Sequence, residues 1–297
     1  MKAFSLKCFS AIILVGGGSV AFGDVIPPYF MDFDSAPVGS TPPPEWTNYL
    51  TNSAITTSSM QVTANGSNHE YQAHTHVELT TGPSVGDQST TISPNRSEVK
   101  CPTLVGQDFL VRTEMRLDSF SEVTNNGSST QAYAGINVLA NSSNGVGTTL
   151  FYIVNSNSSD QIFGGSVGKL MLTHGNPNGY VVDGISPFTI APVFGQKYVI
   201  ELEGHYGGGG LNLTGRLYLG SSLITLSGSQ TDPFTTPNFG TYISNSASGV
   251  TPGSGPITVS SDFAVTYDNF SIQSVPEPTS VASIGVALAF LIRRRRK

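Results

Sequence analysis

The chain has 297 residues, room for one large β domain or two small ones. Only 11% of them are charged, while Ser and Thr together number 67 and Gly 33, so small polar groups take the place of charges on the surface. Such residues are weak helix formers, which excludes a helical bundle or a coiled coil, and 16 Phe with 11 Tyr are too many bulky groups for a wholly disordered polar chain.

At the N-terminus Lys2 and Lys7 precede the apolar run Phe9 to Val15, and Ala21-Phe22-Gly23 then supplies small residues where a signal peptidase cuts. Residues 1–23 therefore read as a secretory signal peptide, with the mature chain starting near Asp24. Cys8 precedes the apolar run, so it is not the lipidated cysteine of a lipoprotein signal. Residues 24–273 form the predicted domain.

Alternating apolar and polar residues recur through that domain, the pattern of strands with one wet face. Strands are predicted at Tyr29 to Asp34, Ser59 to Thr63 and Glu70 to Leu79. Along Asp108 to Ser119, Phe109, Val111, Met115 and Leu117 share one face, and Arg112, Glu114, Arg116 and Asp118 the other, which neutralises itself. Further strands are expected at Gln131 to Ala140, Thr149 to Val154, Val167 to Thr173, around Tyr198 to Leu202, along Leu211 to Leu219 and at Phe263 to Ile272. In the last, Phe263, Val265 and Tyr267 have one parity and Phe270 and Ile272 the other, which predicts a bulge at Asp268 or Asn269. His205-Tyr206 with Gly207 to Gly210 reads as a flexible loop, and Ser246 to Pro256 as another. More than ten strands without helical interludes imply an all-β sandwich or barrel.

Residues 24–274 carry seven Lys and Arg against nineteen Asp and Glu, a net charge of −12. With no basic stripe to contact phosphates, nucleic acid is excluded as a partner. Cys101 is the only cysteine beyond the signal, which rules out an intrachain disulfide and points to a small buried hydrophobe.

His74, His76 and Glu78, at i, i+2 and i+4, would project from one strand face as nitrogen and oxygen ligands for zinc or a similar metal. A solvated polar face explains the same spacing more simply, and no distant third ligand is identifiable from the sequence. Trp46, Tyr180 and Tyr206, read as loop residues, are candidates for stacking on sugar rings. No phosphate cradle is present, since such a cradle needs a strand-to-helix turn. The expectation is a protein that is not an enzyme.

At the C-terminus, residues 274–297, Pro276-Glu277-Pro278 is followed by the apolar stretch Val281 to Ile292 and then by Arg293, Arg294, Arg295, Arg296 and Lys297. Twelve apolar residues make a helix of about 18 Å, short of a bilayer core of about 30 Å, so the segment suits transient association with the inner membrane. The positive cluster resists export and stays cytoplasmic. This order of motif, short hydrophobic helix and Arg cluster resembles the PEP-CTERM sorting signal. The resemblance implies processing by an exosortase, a membrane transpeptidase of bacteria that make extracellular polysaccharide, and delivery to the cell surface or matrix.

The segments Tyr267-Asp268-Asn269-Phe270-Ser271-Ile272, Met31-Asp32-Phe33-Asp34 with Trp46, and Gly195-Gln196-Lys197-Tyr198 leading to Leu217-Tyr218-Leu219-Gly220 resemble concanavalin A-like, laminin G-like sandwiches. That likeness implies a jelly-roll β-sandwich with a structural or weak carbohydrate-binding role, and rim oxygens for Ca2+ at Asp160, Asp183, Asp232 and Asp268. Hydrolases of the same class place Glu, Asp and Glu along one strand, a pattern absent here. An exported glycan-active hydrolase is the alternative expectation.

Overall fold

A computed structural model describes residues 24–275 apart from 41–44, 82–87, 125–127, 142–146, 157–165, 177–178, 232, 234 and 251–256. The signal segment, the sorting tail and the turn-type stretches Asn125 to Gly127 and Asn144-Gly145 lie outside the described residues. Fifteen strands form in chain order: β1 Tyr29–Met31, β2 Trp46–Tyr49, β3 Thr56–Asn65, β4 Asn68–Thr81, β5 Gln88–Lys100, β6 Phe109–Val123, β7 Ser129–Val138, β8 Thr148–Ser156, β9 Leu170–Asn176, β10 Gly179–Ile185, β11 Lys197–Gly207, β12 Gly210–Leu219, β13 Ser222–Gln230, β14 Asn238–Val250 and β15 Ile257–Ser274. A short 3-10 turn, Pro102–Leu104, joins β5 to β6. No helix among the described residues is long and apolar enough to cross a membrane.

The strands make two antiparallel sheets. The first has the order β13-β12-β11-β6-β15-β4-β3, with β1 pairing the end of β15, and the second β10-β9-β8-β7-β14-β5-β2. Their inner faces share one main core that includes Val111, Met115, Leu117, Tyr198, Ile200 and Phe263, the inward set of the alternating segments. Tyr267 on β15 crosses it. Its hydroxyl donates to the Tyr242 carbonyl and accepts from the Gly135 N–H at 3.2 Å, tying the first sheet to the second, and complete burial pushes this phenol well above its ordinary pKa. Asn245 on β14 makes a second tie, donating through Nδ2 to the carbonyls of Thr75 at 3.2 Å and Ser261 at 2.9 Å.

The parity change in the last strand is a bulge, with the β15–β6 register shifting between Asp268 and Ser271 and Asn269 at φ 51°. Two segments read as loops are strand instead. β14 runs through Ser246 to Val250, pairing with both β5 and β7. His205 and Tyr206 lie in β11, and the chain reverses in two residues only, Gly208 and Gly209, whose φ of 61° and 86° explain the glycine run. The paired strands to either side hold that hairpin in register, so it is no long flexible loop.

Strand directions fix which groups share an end. Ser274 pairs with Phe109, the Val275 N–H donates to the Asp108 carbonyl, and Asp24 bridges Lys100. Both chain ends thus leave the sandwich at the end that also carries the Gly208-Gly209 turn. The segment 186–196, between β10 and β11, and the β12–β13 turn occupy the opposite end.

Candidate functional site

The outer face of the first sheet gathers most of the domain's charges. Arg112, Glu114, Arg116 and Asp118 project there from β6, and their partners come from neighbouring strands as well as their own. Arg116 donates to Glu70 at 2.7 Å and Asp118 at 2.8 Å, Lys197 to Glu114 at 2.8 Å and Asp268 at 3.5 Å, and Arg112 to Glu201 at 3.1 Å. Arg216 pairs with Glu203 at 2.8 Å, and His205 lies between Glu203 at 2.9 Å and Asp108 at 2.8 Å. Lys197 and Arg112 hold Glu114 below the usual carboxylate range, although desolvation opposes them. Burial dominates at Asp268 and raises it. Glu70, Glu114, Arg116, Lys197, Thr266 and Asp268 line only a shallow depression.

His74, His76 and Glu78 do share a face of β4, and the group they meet comes from β15. Asp262 Oδ2 is 3.1 Å from His74 Nε2 and 3.3 Å from His76 Nδ1, while Glu78 is 3.8 Å from the other nitrogen of His76. Among the described residues, no group of three or more His, Cys, Asp or Glu side chains is arranged to hold a metal ion. The expected calcium rim is altered too. Asp183 pairs with His174 at 2.8 Å and accepts from Gln230 at 2.9 Å, and Asp268 is engaged by Lys197, so neither carboxylate is an open rim ligand. Asp160 and Asp232 lie outside the described residues.

The three aromatic candidates need correction. Trp46 is 6% exposed on β2, packed tilted against Phe33 and edge-on to Phe270 with ring centroids 5.7 and 5.0 Å away, and its Nε1 donates to the Tyr29 hydroxyl at 2.8 Å. It is a core residue. Tyr206 packs half-buried against the main core, with its backbone N–H held by Asp108 Oδ1 at 2.8 Å. Tyr180 lies in β10 and not in a loop, and its side chain is outside the described set.

Two aromatic groups that face solvent on one segment were not singled out by the sequence. Phe188 is 72% exposed and Phe194 44%, both on segment 186–196, while Phe30, 58% exposed, lies at the other end. That segment has no regular structure, yet it is fastened throughout. The Ser186 N–H donates to the Leu170 carbonyl at 2.9 Å, Ile190 N–H to Gly168 at 2.8 Å, and Gly195 N–H to Leu117 at 2.8 Å. The Ser186 hydroxyl donates to the Phe188 carbonyl at 2.9 Å, Tyr152 donates to the Ile190 carbonyl, and the Tyr198 hydroxyl accepts from the Val193 N–H at 2.6 Å. Pro187 and Pro192 further restrict it. Two bare phenyl rings are thereby carried on a backbone whose conformation is already fixed.

Residues 274–297 match the PEP-CTERM protein-sorting motif. No curated protein sequence matches the chain. Among solved structures, a carbohydrate binding module from Bacillus subtilis is similar at 12% identity and a TM-score of 0.34, covering 66% of this chain and 95% of that one. Winged bean acidic lectin, complexed with methyl-alpha-D-galactose, is similar at 11% identity and a TM-score of 0.35, covering 76% and 99%. A protein of unknown function from Shewanella oneidensis is similar at 12% and 0.37, covering 83% and 87%.

Proposed function

We propose that this chain is an exported surface protein, sorted through its PEP-CTERM tail by an exosortase-type enzyme, whose sandwich binds carbohydrate of the extracellular matrix without cleaving it. The observation that supports this most directly is the pair Phe188 and Phe194, exposed on a hydrogen-bonded segment. Single exposed apolar side chains are ordinary, but two large rings exposed on one short segment are a candidate contact surface. The flat face of a phenyl ring suits the C–H face of a pyranose, and a fixed backbone leaves little ordering entropy to lose on binding. Stacking on two rings supports only modest affinity, in the millimolar to high micromolar range, about −4 to −5.5 kcal/mol. A glycan-array screen of the purified protein, with and without calcium, tests the reading. Phe188→Ala and Phe194→Ala should each lower binding several-fold with unchanged melting temperature. Binding that survives both substitutions would place the ligand elsewhere.

One observation favours a second reading, hydrolysis. Glu114 and Asp268 face each other across β6 and β15, with one carboxyl lowered and the other raised, the separation that distinguishes a nucleophile from an acid. Lys197 bridges the two, and Asp268 Oδ1 accepts from the Asn269 N–H at 2.8 Å where the bulge turns, so a structural role accounts for both groups. Release of reducing ends from β-glucans or alginate, abolished by Asp268→Asn, would favour the hydrolase.

A further inference from the structure

Both hydrophobic terminal segments of the sequence are attached to the same end of the sandwich. On the C-terminal side, Ser274 pairs with Phe109 and the Val275 N–H is held by the Asp108 carbonyl. Only residues 275–280 separate that exit from the apolar stretch starting at Val281, a tether of about 20 Å when fully extended. On the N-terminal side, Asp24 bridges Lys100 and the Val25 N–H donates to the Lys100 carbonyl, directly after the apolar segment of residues 9–15 and its flank. Whichever segment is in the bilayer, it is the Asp108 end that is held close.

That end also presents two apolar side chains to solvent, Ile26 at 55% and Phe30 at 58% exposure, with Phe30 paired to Ser271, three residues before the end of β15. The opposite end, with Phe188, Phe194 and Leu223, is separated from it by β11, whose eleven residues span about 36 Å, well beyond the tether. Lying on the outer face of the first sheet would bring both ends to the lipid, but it would set an acidic face against phospholipid headgroups. The outer face of the first sheet carries Glu70, Glu114, Asp118, Glu201, Glu203 and Asp262 against three arginines and Lys197. Headgroups of an anionic membrane repel such a face.

We infer that, while a terminal segment holds the chain in the membrane, the sandwich stands end-on upon the lipid surface, with Ile26 and Phe30 against the headgroups and Phe188 and Phe194 directed away. The inference rests on the membrane-sorting part of the proposed function and not on glycan binding. Segment 186–196 then lies at the end away from the bilayer, accessible before the tail is processed.

The test uses the full chain, with Cys8→Ser and the buried Cys101 left in place, reconstituted into vesicles of three parts phosphatidylcholine to one part phosphatidylglycerol. One variant carries Gln107→Cys, at the exit end, and another Ser222→Cys, at the far end, each labelled with an environment-sensitive fluorophore. Both positions are exposed in the fold. Headgroup-spin-labelled lipid should quench the Gln107→Cys label at least three-fold more than the Ser222→Cys label, and Ile26→Ser with Phe30→Ser should narrow the difference. Equal quenching of the two labels, or none at either in vesicle-bound protein, overturns the orientation alone. Failure of the chain to float with vesicles refutes membrane anchoring, and the orientation with it, while leaving the glycan reading to its own screen.

Discussion

Gly240 lies in β14 directly between Glu98 on β5 and Asn137 on β7. A Cβ built there would meet the Ser97 carbonyl oxygen at 1.8 Å, its carbon at 2.8 Å and Glu98 Cα at 2.9 Å, all backbone. Gly240→Ala must therefore part β14 from β5 by about 1.5 Å to recover ordinary contact distances. That separation breaks the local ladder bonds. It also strains the 2.7 Å bond by which Asn137 Nδ2 reaches across the glycine to Glu98 Oε1, a carboxyl buried enough for desolvation to raise its pKa. Two neutral hydrogen bonds at about 1 kcal/mol each and one to a charged or buried carboxyl at about 2 give a loss of about 3 to 5 kcal/mol. In a domain of this size that lowers the melting temperature by about 6 to 20 °C. Gly207 supplies the control, since nothing lies within 4 Å of its Cβ position and its φ is ordinary. Gly207→Ala should be neutral or raise stability by about 0.4 to 1 kcal/mol through the unfolded chain. Thermal unfolding followed by far-ultraviolet dichroism reads both. If Gly240→Ala melts within about 2 °C of the parent, the close approach of β14 to β5 is wrong.

His205 has a raised pKa, chiefly through its bond to Asp108, with Glu203 adding to it and Arg216 facing the same group. A raised folded pKa stabilises in full below the unfolded imidazole value of about 6.5 and is lost as pH rises through the folded value, so the excess stability over His205→Gln should shrink as pH is raised past neutrality. Removing Arg116 leaves the Glu70 carboxylate, 2% exposed, without its cation, and Arg116→Met should cost about 3 to 5 kcal/mol. Adding Glu70→Gln should recover much of that loss in a double-mutant cycle, whereas simple additivity would refute the pairing. Cys101 is fully buried with its thiol pKa raised by desolvation, so maleimide should label it only as denaturant unfolds the domain; labelling of native protein at the rate of a free thiol contradicts its burial.

Strands were legible wherever a bulky apolar set alternated with charges. β6 offers four such steps and β11 three, β12 alternates with Asn212, Thr214, Arg216 and Tyr218, and β15 betrayed its bulge through a change of parity between Tyr267 and Phe270. β14 was taken in part for a loop because its inward positions include Thr241, Asn245 and Ala247, small or polar groups whose burial is supported by bonds to the other sheet. Such support depends on residues 170 positions away and leaves no local trace. β5 and β13 were missed for a related reason, since small polar residues and Gly break up their apolar positions. The self-neutralising face of β6 was visible, but its partners Glu70, Lys197 and Glu201 emerge only once β4 and β11 are placed beside it. The aromatic candidates failed in both directions. A tryptophan among prolines looks like a rim residue and is core, while Phe188 and Phe194, which composition assigns to a core, are held outside by hydrogen bonds from Ser186, Ile190 and Gly195. No periodicity distinguishes those cases.

The placement of both chain ends opposite segment 186–196 also has a mechanical meaning. A load applied at Phe188 and resisted at Val275 runs lengthwise through the sandwich, parallel to its strands. β15, which carries that load to the tail, is flanked by β6 on one side and by β4 and β1 on the other. Its hydrogen bonds lie across the direction of pull and share the force together, where a peeling geometry would break them one after another. The proposed anchoring at one pole and glycan contact at the other would in this way load the protein in shear along its longest strand.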